Sequence, residues 1–105
     1  MFSYVFNKDE DDNKNKYTVF TLSECTYCTL VKELLKEEND VIYIQCDRYL
    51  KEDRFQFIKE MNTLTNRPEH KTFPFVFKGS YFIGGYDETK IFYEKNNLNF
   101  EHLHN

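Results

Sequence analysis

Three cysteines carry the most reactive groups of this chain, and two of them stand close together in Cys25-Thr26-Tyr27-Cys28. The segment before the pair, Tyr17-Thr18-Val19-Phe20-Thr21-Leu22, is rich in β-branched and aromatic residues and reads as a strand, with Ser23 as a turn or cap residue. After the pair, Tyr27, Leu30, Val31, Leu34 and Leu35 recur at helical spacing, which predicts an amphipathic helix from Thr26 to about Glu38. Cys25 then falls at a helix N-terminus and Cys28 one turn further in. Unpaired amides and the positive end of the helix dipole stabilise a thiolate there, and can bring a cysteine from about 8.5 into the range of roughly 3.5–7.5. Cys25 is the sulfur expected to be ionised at neutral pH. The spacing puts both sulfurs on one face, so Cys28 can close a disulfide once Cys25 has attacked a substrate.

The same spacing is half of many zinc sites. A second half is missing: Cys46 stands alone, and His70, His102 and His104 are not at zinc-finger spacing. Redox chemistry is therefore the stronger reading of the pair, and no metal site is assigned. Cys46, at the end of a predicted strand, reads as a buried small hydrophobe, with a regulatory thiol as the alternative.

Further elements must position the pair. Val41-Ile42-Tyr43-Ile44-Gln45-Cys46 is a near-continuous apolar run that suits a parallel strand covered by helices. A second helix is predicted from Asp53 to about Leu64, with Phe55, Ile58, Met61 and Leu64 on its inward stripe. Phe73-Pro74-Phe75-Val76-Phe77 and Tyr81-Phe82-Ile83, joined through Lys78-Gly79-Ser80, form an antiparallel hairpin with a proline at its start. Gly84-Gly85 ends it, and Tyr86 or Asp87 opens a last helix through about Asn96. Residues 1–16 are an N-terminal extension, with Met1 to Phe6 fitting an edge strand or a short helix and the charged, Asn-rich stretch that follows fitting a solvated connection. Residues 17–96 are the domain and 97–105 a tail without a strong pattern.

A chain of 105 residues allows one domain, and eleven Phe with eight Tyr supply a core despite the low mean hydropathy of −0.74. A net charge of −4 with mixed signs lacks the basic footprint of a nucleic-acid binder. No apolar run approaches the roughly 18 residues of a membrane span. The first residues lack a secretory signal, so the expectation is a soluble cytoplasmic protein.

Three landmarks in order, Cys25-Thr26-Tyr27-Cys28 after a strand, Thr72-Phe73-Pro74 before a strand, and Gly84-Gly85-Tyr86-Asp87 before a helix, resemble those of glutaredoxins across residues 17–96. The resemblance implies a thioredoxin-like α/β fold, a four-stranded mixed sheet flanked by helices. It implies catalysis by Cys25 and Cys28, with glutathione as reductant and protein disulfides or glutathionylated proteins as substrates. It also implies a glutathione site made of Tyr27, Lys71, Thr72, Phe73, Pro74, Gly85, Tyr86 and Asp87. Pro74 would be the family's cis-proline, and Lys71 would pair with a glutathione carboxylate. Tyr86 and Asp87 would offer helix-start amides to the γ-glutamyl carboxylate, and Asp87 would receive its ammonium group.

Without the resemblance, Pro74 is a trans proline at an edge strand, Gly84-Gly85 a turn, Asp87 an N-cap and Tyr27 a half-buried aromatic. Leu22 and Glu24 depart from the family, in which a lysine is common three residues before the first cysteine. A missing cation and an added anion weaken both the thiolate and glutathione binding. Thr26 stands where a proline is common, and motifs without it more often hold a [2Fe–2S] cluster between subunits, which keeps an iron–sulfur carrier as an alternative. Another alternative is a donor fed by a thioredoxin-type reductase, serving ribonucleotide reductase. A monomer is expected.

Overall fold

The computed structural model describes residues 16–104, with side chains through residue 96; residues 1–15 of the 1–16 extension, and with them the strand-or-helix reading of Met1 to Phe6, lie outside the described residues. The first strand, β1 (Tyr17–Thr21), is buried along its whole length because it lies inside the sheet. It pairs in parallel with β2 (Val41–Gln45), Tyr17 beside Val41, and antiparallel with β3 (Phe75–Lys78), Phe20 opposite Phe75. Outside β3 lies β4 (Tyr81–Gly84), which gives a four-stranded mixed sheet in the order β2-β1-β3-β4. Three helices complete the domain: α1 (Thr26–Leu34), α2 (Asp47–Thr65) and α3 (Tyr86–His104).

Alternation along the strands divides the core into two layers. Tyr17, Val19, Val76 and Ile83 meet Val31 and Leu35 with Phe92 and Tyr93, so α1 and α3 cover one face. Phe20, Phe75, Phe77 and Phe82 meet Cys46, Phe57 and Met61, so α2 covers the other. Burying each large side chain of this kind contributes about 1.5–3 kcal/mol. These layers hold the strand ends, and with them the start of α1, in fixed relation.

The sequence reading and the structure differ at several places. Helix α1 ends at Leu34, and the predicted last turn is instead an irregular cap at the buried Leu35. Strand β2 sits at the sheet edge, so Ile42 and Tyr43 stay 37% and 38% exposed despite their apolar run. Helix α2 begins at Asp47, ahead of the predicted Asp53, where the backbone leaves helical geometry at φ −159° and ψ 85°. There the Asp53 carboxylate accepts the Gln56 amide at 3.0 Å, so the predicted start survives as an internal N-cap.

The inward stripe of α2 is also different: Phe55 is 81% exposed and Ile58 44%, while Phe57, Met61 and Thr65 are buried. Two stripes that share Met61 fit a 3.6-residue period equally well. The stacking of Phe57 on Phe73 at 5.9 Å and on Tyr49 at 6.5 Å selects between them. Helix α3 continues to His104 although Asn96 and Asn97, poor helix formers, suggested an earlier end.

Candidate active site

Cys25 is the N-cap of α1: its backbone is extended, at φ −113° and ψ 108°, and its Sγ accepts the amide of Cys28 at 3.2 Å. The sulfur thus takes the place that a serine or aspartate oxygen occupies at other helix starts, facing amide donors that lack an intrahelical acceptor. No acidic side chain lies in the first turn of α1 to oppose an anion. Cys25 is half-buried, whereas Cys28 is 2% exposed. The two form a disulfide with a Cα–Cα distance of 5.2 Å, inside the range such a bond requires.

The loop that delivers Cys25 is anchored from an element that the sequence reading did not connect to it. Asp47, in the first turn of α2, accepts the Ser23 amide at 3.0 Å and also the Ser23 hydroxyl. These two hydrogen bonds, the hydroxyl's first, hold the Asp47 carboxyl below its ordinary range. Between Ser23 and Cys25 the chain turns at Glu24, a non-glycine residue at φ 54°. The Glu24 side chain is exposed beside the sulfur.

The Phe73-Pro74 bond is cis, and the Phe73 carbonyl oxygen lies 3.9 Å from Cys25 Sγ. Beyond Pro74, β4 ends at Gly84, whose φ of +137° and whose missing Cβ, 2.8 Å from the Glu88 side chain, both require glycine. Gly85 is the cap of α3. Its amide donates to Glu88 Oε1 at 2.8 Å, and its carbonyl accepts the Thr89 hydroxyl at 2.7 Å. His70 joins these segments from behind: its ring meets Phe75 and Phe82 edge-on, with centroids 4.8 and 5.1 Å away, and Nε2 lies 3.4 Å from the Pro74 carbonyl oxygen.

Tyr27, Thr72, Phe73, Pro74, Gly85, Tyr86 and Asp87 line one groove of about 300 Å³, with the Tyr27 and Tyr86 ring centroids 6.1 Å apart. These are all the residues named for a tripeptide site except Lys71. Lys71 lies across the Thr72-Phe73 ridge, in a second cavity that contains Cys25. Three contributors went unread in the sequence. Glu88 stands three residues after Gly85, at the spacing of a capping box, so a signal for it existed. Asp47 carried none, because its partner Ser23 is 24 residues away in the chain, and His70 carried none, because nothing in its neighbourhood in the chain shows that its ring packs against Phe75 and Phe82.

Cys46 is fully buried, and burial pushes its thiol up to about 12. Its neutral Sγ lies 3.4 Å from the Ile44 carbonyl. This fits the hydrophobe reading. Among the described residues no group of three or more His, Cys, Asp or Glu side chains converges in a way that could hold a metal ion, and no helix is long and apolar enough to cross a membrane.

A half-buried helix-cap cysteine, a fully buried partner one turn on and a cis-proline facing them define a dithiol protein of thioredoxin-like fold. The glutaredoxin family model matches residues 17–83, and the chain belongs to that family. It is 34% identical over 71 residues to glutaredoxin 1 of Rickettsia felis, covering 66% of this chain and 63% of that protein. The matched region thus spans less than two thirds of that relative. Among solved structures, glutaredoxin 1 from Francisella tularensis, complexed with cacodylate, shares 30% identity at a TM-score of 0.65, covering 80% of this chain and 96% of that one. A buckwheat glutaredoxin–glutathione complex shares 25% identity at a TM-score of 0.64, covering 92% and 86%.

Proposed function

We propose that this protein is a glutathione-dependent thiol–disulfide oxidoreductase that reduces protein disulfides and glutathione mixed disulfides. The observation that carries the reading is the Cys28 amide directed at Cys25 Sγ on the exposed end of α1, with the second sulfur buried behind it. In the first step the Cys25 thiolate attacks one sulfur of the substrate disulfide; a Cys25–substrate disulfide forms and the other substrate sulfur leaves as a thiolate. In the two-cysteine route the Cys28 thiol loses its proton and attacks Cys25 Sγ, which releases the substrate thiolate and leaves the Cys25–Cys28 disulfide. Two glutathione thiols then restore the dithiol and depart as oxidised glutathione. With a glutathionylated substrate, Cys25 keeps the glutathionyl group and a second glutathione removes it, so Cys28 is not needed.

Support for glutathione as the reductant comes from the groove beside Tyr27, Tyr86 and Asp87, which opens at a helix start with amides available to a carboxylate. The relative from buckwheat is described in complex with glutathione. The reaction draws on a glutathione pool, and a cytoplasmic setting belongs to the same proposal. A donor fed by a thioredoxin-type reductase is the second reading, favoured by Glu24, which sets an anion beside the sulfur where glutathione's own carboxylates would approach.

A coupled assay with glutathione, glutathione reductase and a mixed disulfide tests the proposal on the wild type, Cys25→Ser and Cys28→Ser. Activity is expected to vanish with Cys25→Ser and to persist in part with Cys28→Ser. Equal rates in all three would overturn the assignment. A wild type that turns over only with a thioredoxin-type reductase would establish the second reading.

A further inference from the structure

The sheet has two edges, and they are finished differently. At the β4 edge the Arg67 guanidinium donates to the Phe82 and Ile83 carbonyl oxygens at 3.4 and 3.5 Å, with its central carbon 5.2 Å from the Phe82 ring centroid. The β3–β4 pairing also shifts register between Val76 and Phe77. A covering charged side chain and an irregular ladder are two of the ways in which proteins keep an edge strand from pairing with another chain.

Strand β2 has neither. Val41-Ile42-Tyr43-Ile44-Gln45 contains no charge, proline or glycine, and it keeps unbroken register with β1 over all five residues. Among the described residues no strand lies on its outer side. Ile42, Tyr43 and Gln45 are exposed, and Val41 and Ile44 are half-buried. The Asp40 carbonyl accepts the Tyr17 amide at 3.0 Å, and the Cys46 amide donates to the Thr21 carbonyl at 2.8 Å. By alternation, Ile42 and Ile44 also turn their backbone groups toward β1, and Val41, Tyr43 and Gln45 turn theirs outward. An uncharged row of β-prone residues with outward backbone groups is a template for another strand.

We infer that β2 pairs antiparallel with β2 of a second copy of this chain, about a two-fold axis at Tyr43, joining the two sheets into one of eight strands. A second copy is the partner that fits because the strand is complementary to itself in this register. Tyr43 meets Tyr43 at the axis and Val41 meets Gln45, each pair exchanging two hydrogen bonds between outward backbone groups. Ile42 meets Ile44 on the face covered by α2, apolar against apolar. The charges that flank the strand face no like charge: Asp40 falls opposite Cys46, and Asp47 opposite Asn39. Because β1 runs parallel to β2, the two Cys25 sites lie at opposite ends of the joined sheet and neither copy covers the other's sulfur. The inference therefore stands apart from the oxidoreductase reading, and the monomer expected from the sequence is its alternative.

Two measurements on the full-length protein test it. In the first, sedimentation is followed from about 10 μM to about 1 mM. Five residues a side make a small interface, so the mass should rise from 12.8 kDa toward twice that value with a Kd of about 10–100 μM. Tyr43→Lys sets two ammonium groups against each other at the axis and should weaken the dimer about tenfold. Labelled Tyr43→Lys should then sediment as a dimer again when mixed with excess Tyr43→Glu, and its turnover in the coupled glutathione assay should stay within about twofold of wild type. A wild type that is monomeric throughout, or a dimer that Tyr43→Lys leaves intact, would overturn the inference.

The second needs no substitution. Amide hydrogen exchange is measured on the wild type by NMR at the two ends of the same concentration range. The amides of Val41, Tyr43 and Gln45 should exchange several-fold more slowly at the high end, while those of Ile42 and Ile44, already directed at β1, should not change. Exchange at Val41, Tyr43 and Gln45 that is independent of concentration would overturn the pairing, and slowing confined to residues outside β2 would place the contact between copies on another surface and overturn it as well.

Discussion

Two helices of this domain begin at a cysteine, α1 at Cys25 and α2 at Cys46, each just after a strand of the same parallel pair. At Cys25 the backbone is extended, the sulfur turns inward to accept an amide and the residue is half-buried. At Cys46 the backbone is at φ −105° and ψ 3°, no side-chain cap forms, and the residue is sealed under Phe20, Phe57 and Met61. Both sulfurs sit at the positive end of a helix, yet burial pushes the Cys46 thiol up to about 12. Proximity to a helix start is therefore not sufficient to make a nucleophile. The sulfur must also accept an amide hydrogen bond and keep a path to solvent, since desolvation penalises the anion more than the dipole favours it.

This contrast can be broken most directly by deleting each sulfur in turn. Cys25→Ser is expected to reduce turnover in the coupled glutathione assay to the uncatalysed rate, while Cys46→Ala stays within about twofold of wild type because its sulfur touches no reactant. A large loss from Cys46→Ala would erase the distinction. Alkylation sharpens it further. With the reduced protein at neutral pH, iodoacetamide followed by mass spectrometry should label Cys25 first and leave Cys46 unlabelled until denaturant is added.

A smaller effect lies in alkaline stability. Cys46 is raised from 9.0 and Tyr17 from 10.0, each to about 12, Cys46 by burial first and Tyr17 by burial and then by Glu38 and Tyr93. Because the folded values exceed the unfolded ones, both groups stabilise the fold fully below about pH 9, and that contribution is lost as pH rises toward 12. Thermal melts should show Tm falling over this window, and Cys46→Ala should make the fall shallower.

The smallest expected change concerns the loop before Cys25. Asp47→Ala removes both hydrogen bonds to Ser23 and should slow alkylation of Cys25 a fewfold with little change in Tm, since the pair is exposed. The Asp47 carboxyl is held low, so its contribution is present above the ordinary carboxylate range and lost as pH falls through its lowered value. The difference between Asp47→Ala and wild type should vanish in that acid range.

Much of the site was legible in the chain because it is built from local signals. A strand followed at once by Cys25-Thr26-Tyr27-Cys28, a proline before β3 and paired glycines before α3 each announce themselves within a few residues. The structure gathers Tyr27, Thr72, Phe73, Pro74, Gly85, Tyr86 and Asp87 into one groove, while Lys71 lines the cavity on the other flank. Periodicity failed where it was degenerate, as in α2, where a stripe through Phe55 and one through Phe57 both pass through Met61. It also failed where pairing set exposure, as at β2, whose apolar run looks interior but occupies the sheet edge.

By itself the sequence determined the order of strands and helices, the reactive pair and which of its members caps a helix, because backbone geometry at a strand-to-helix junction is fixed by neighbours in the chain. Only the tertiary structure decided which face of α2 turns inward, that Asp47 braces a loop 24 residues before it, that the His70 ring packs between Phe75 and Phe82, and that two separate cavities open on either side of Phe73. Those outcomes depend on which side chains exclude water from one another across the sheet, and that selection exists only once distant segments have packed together.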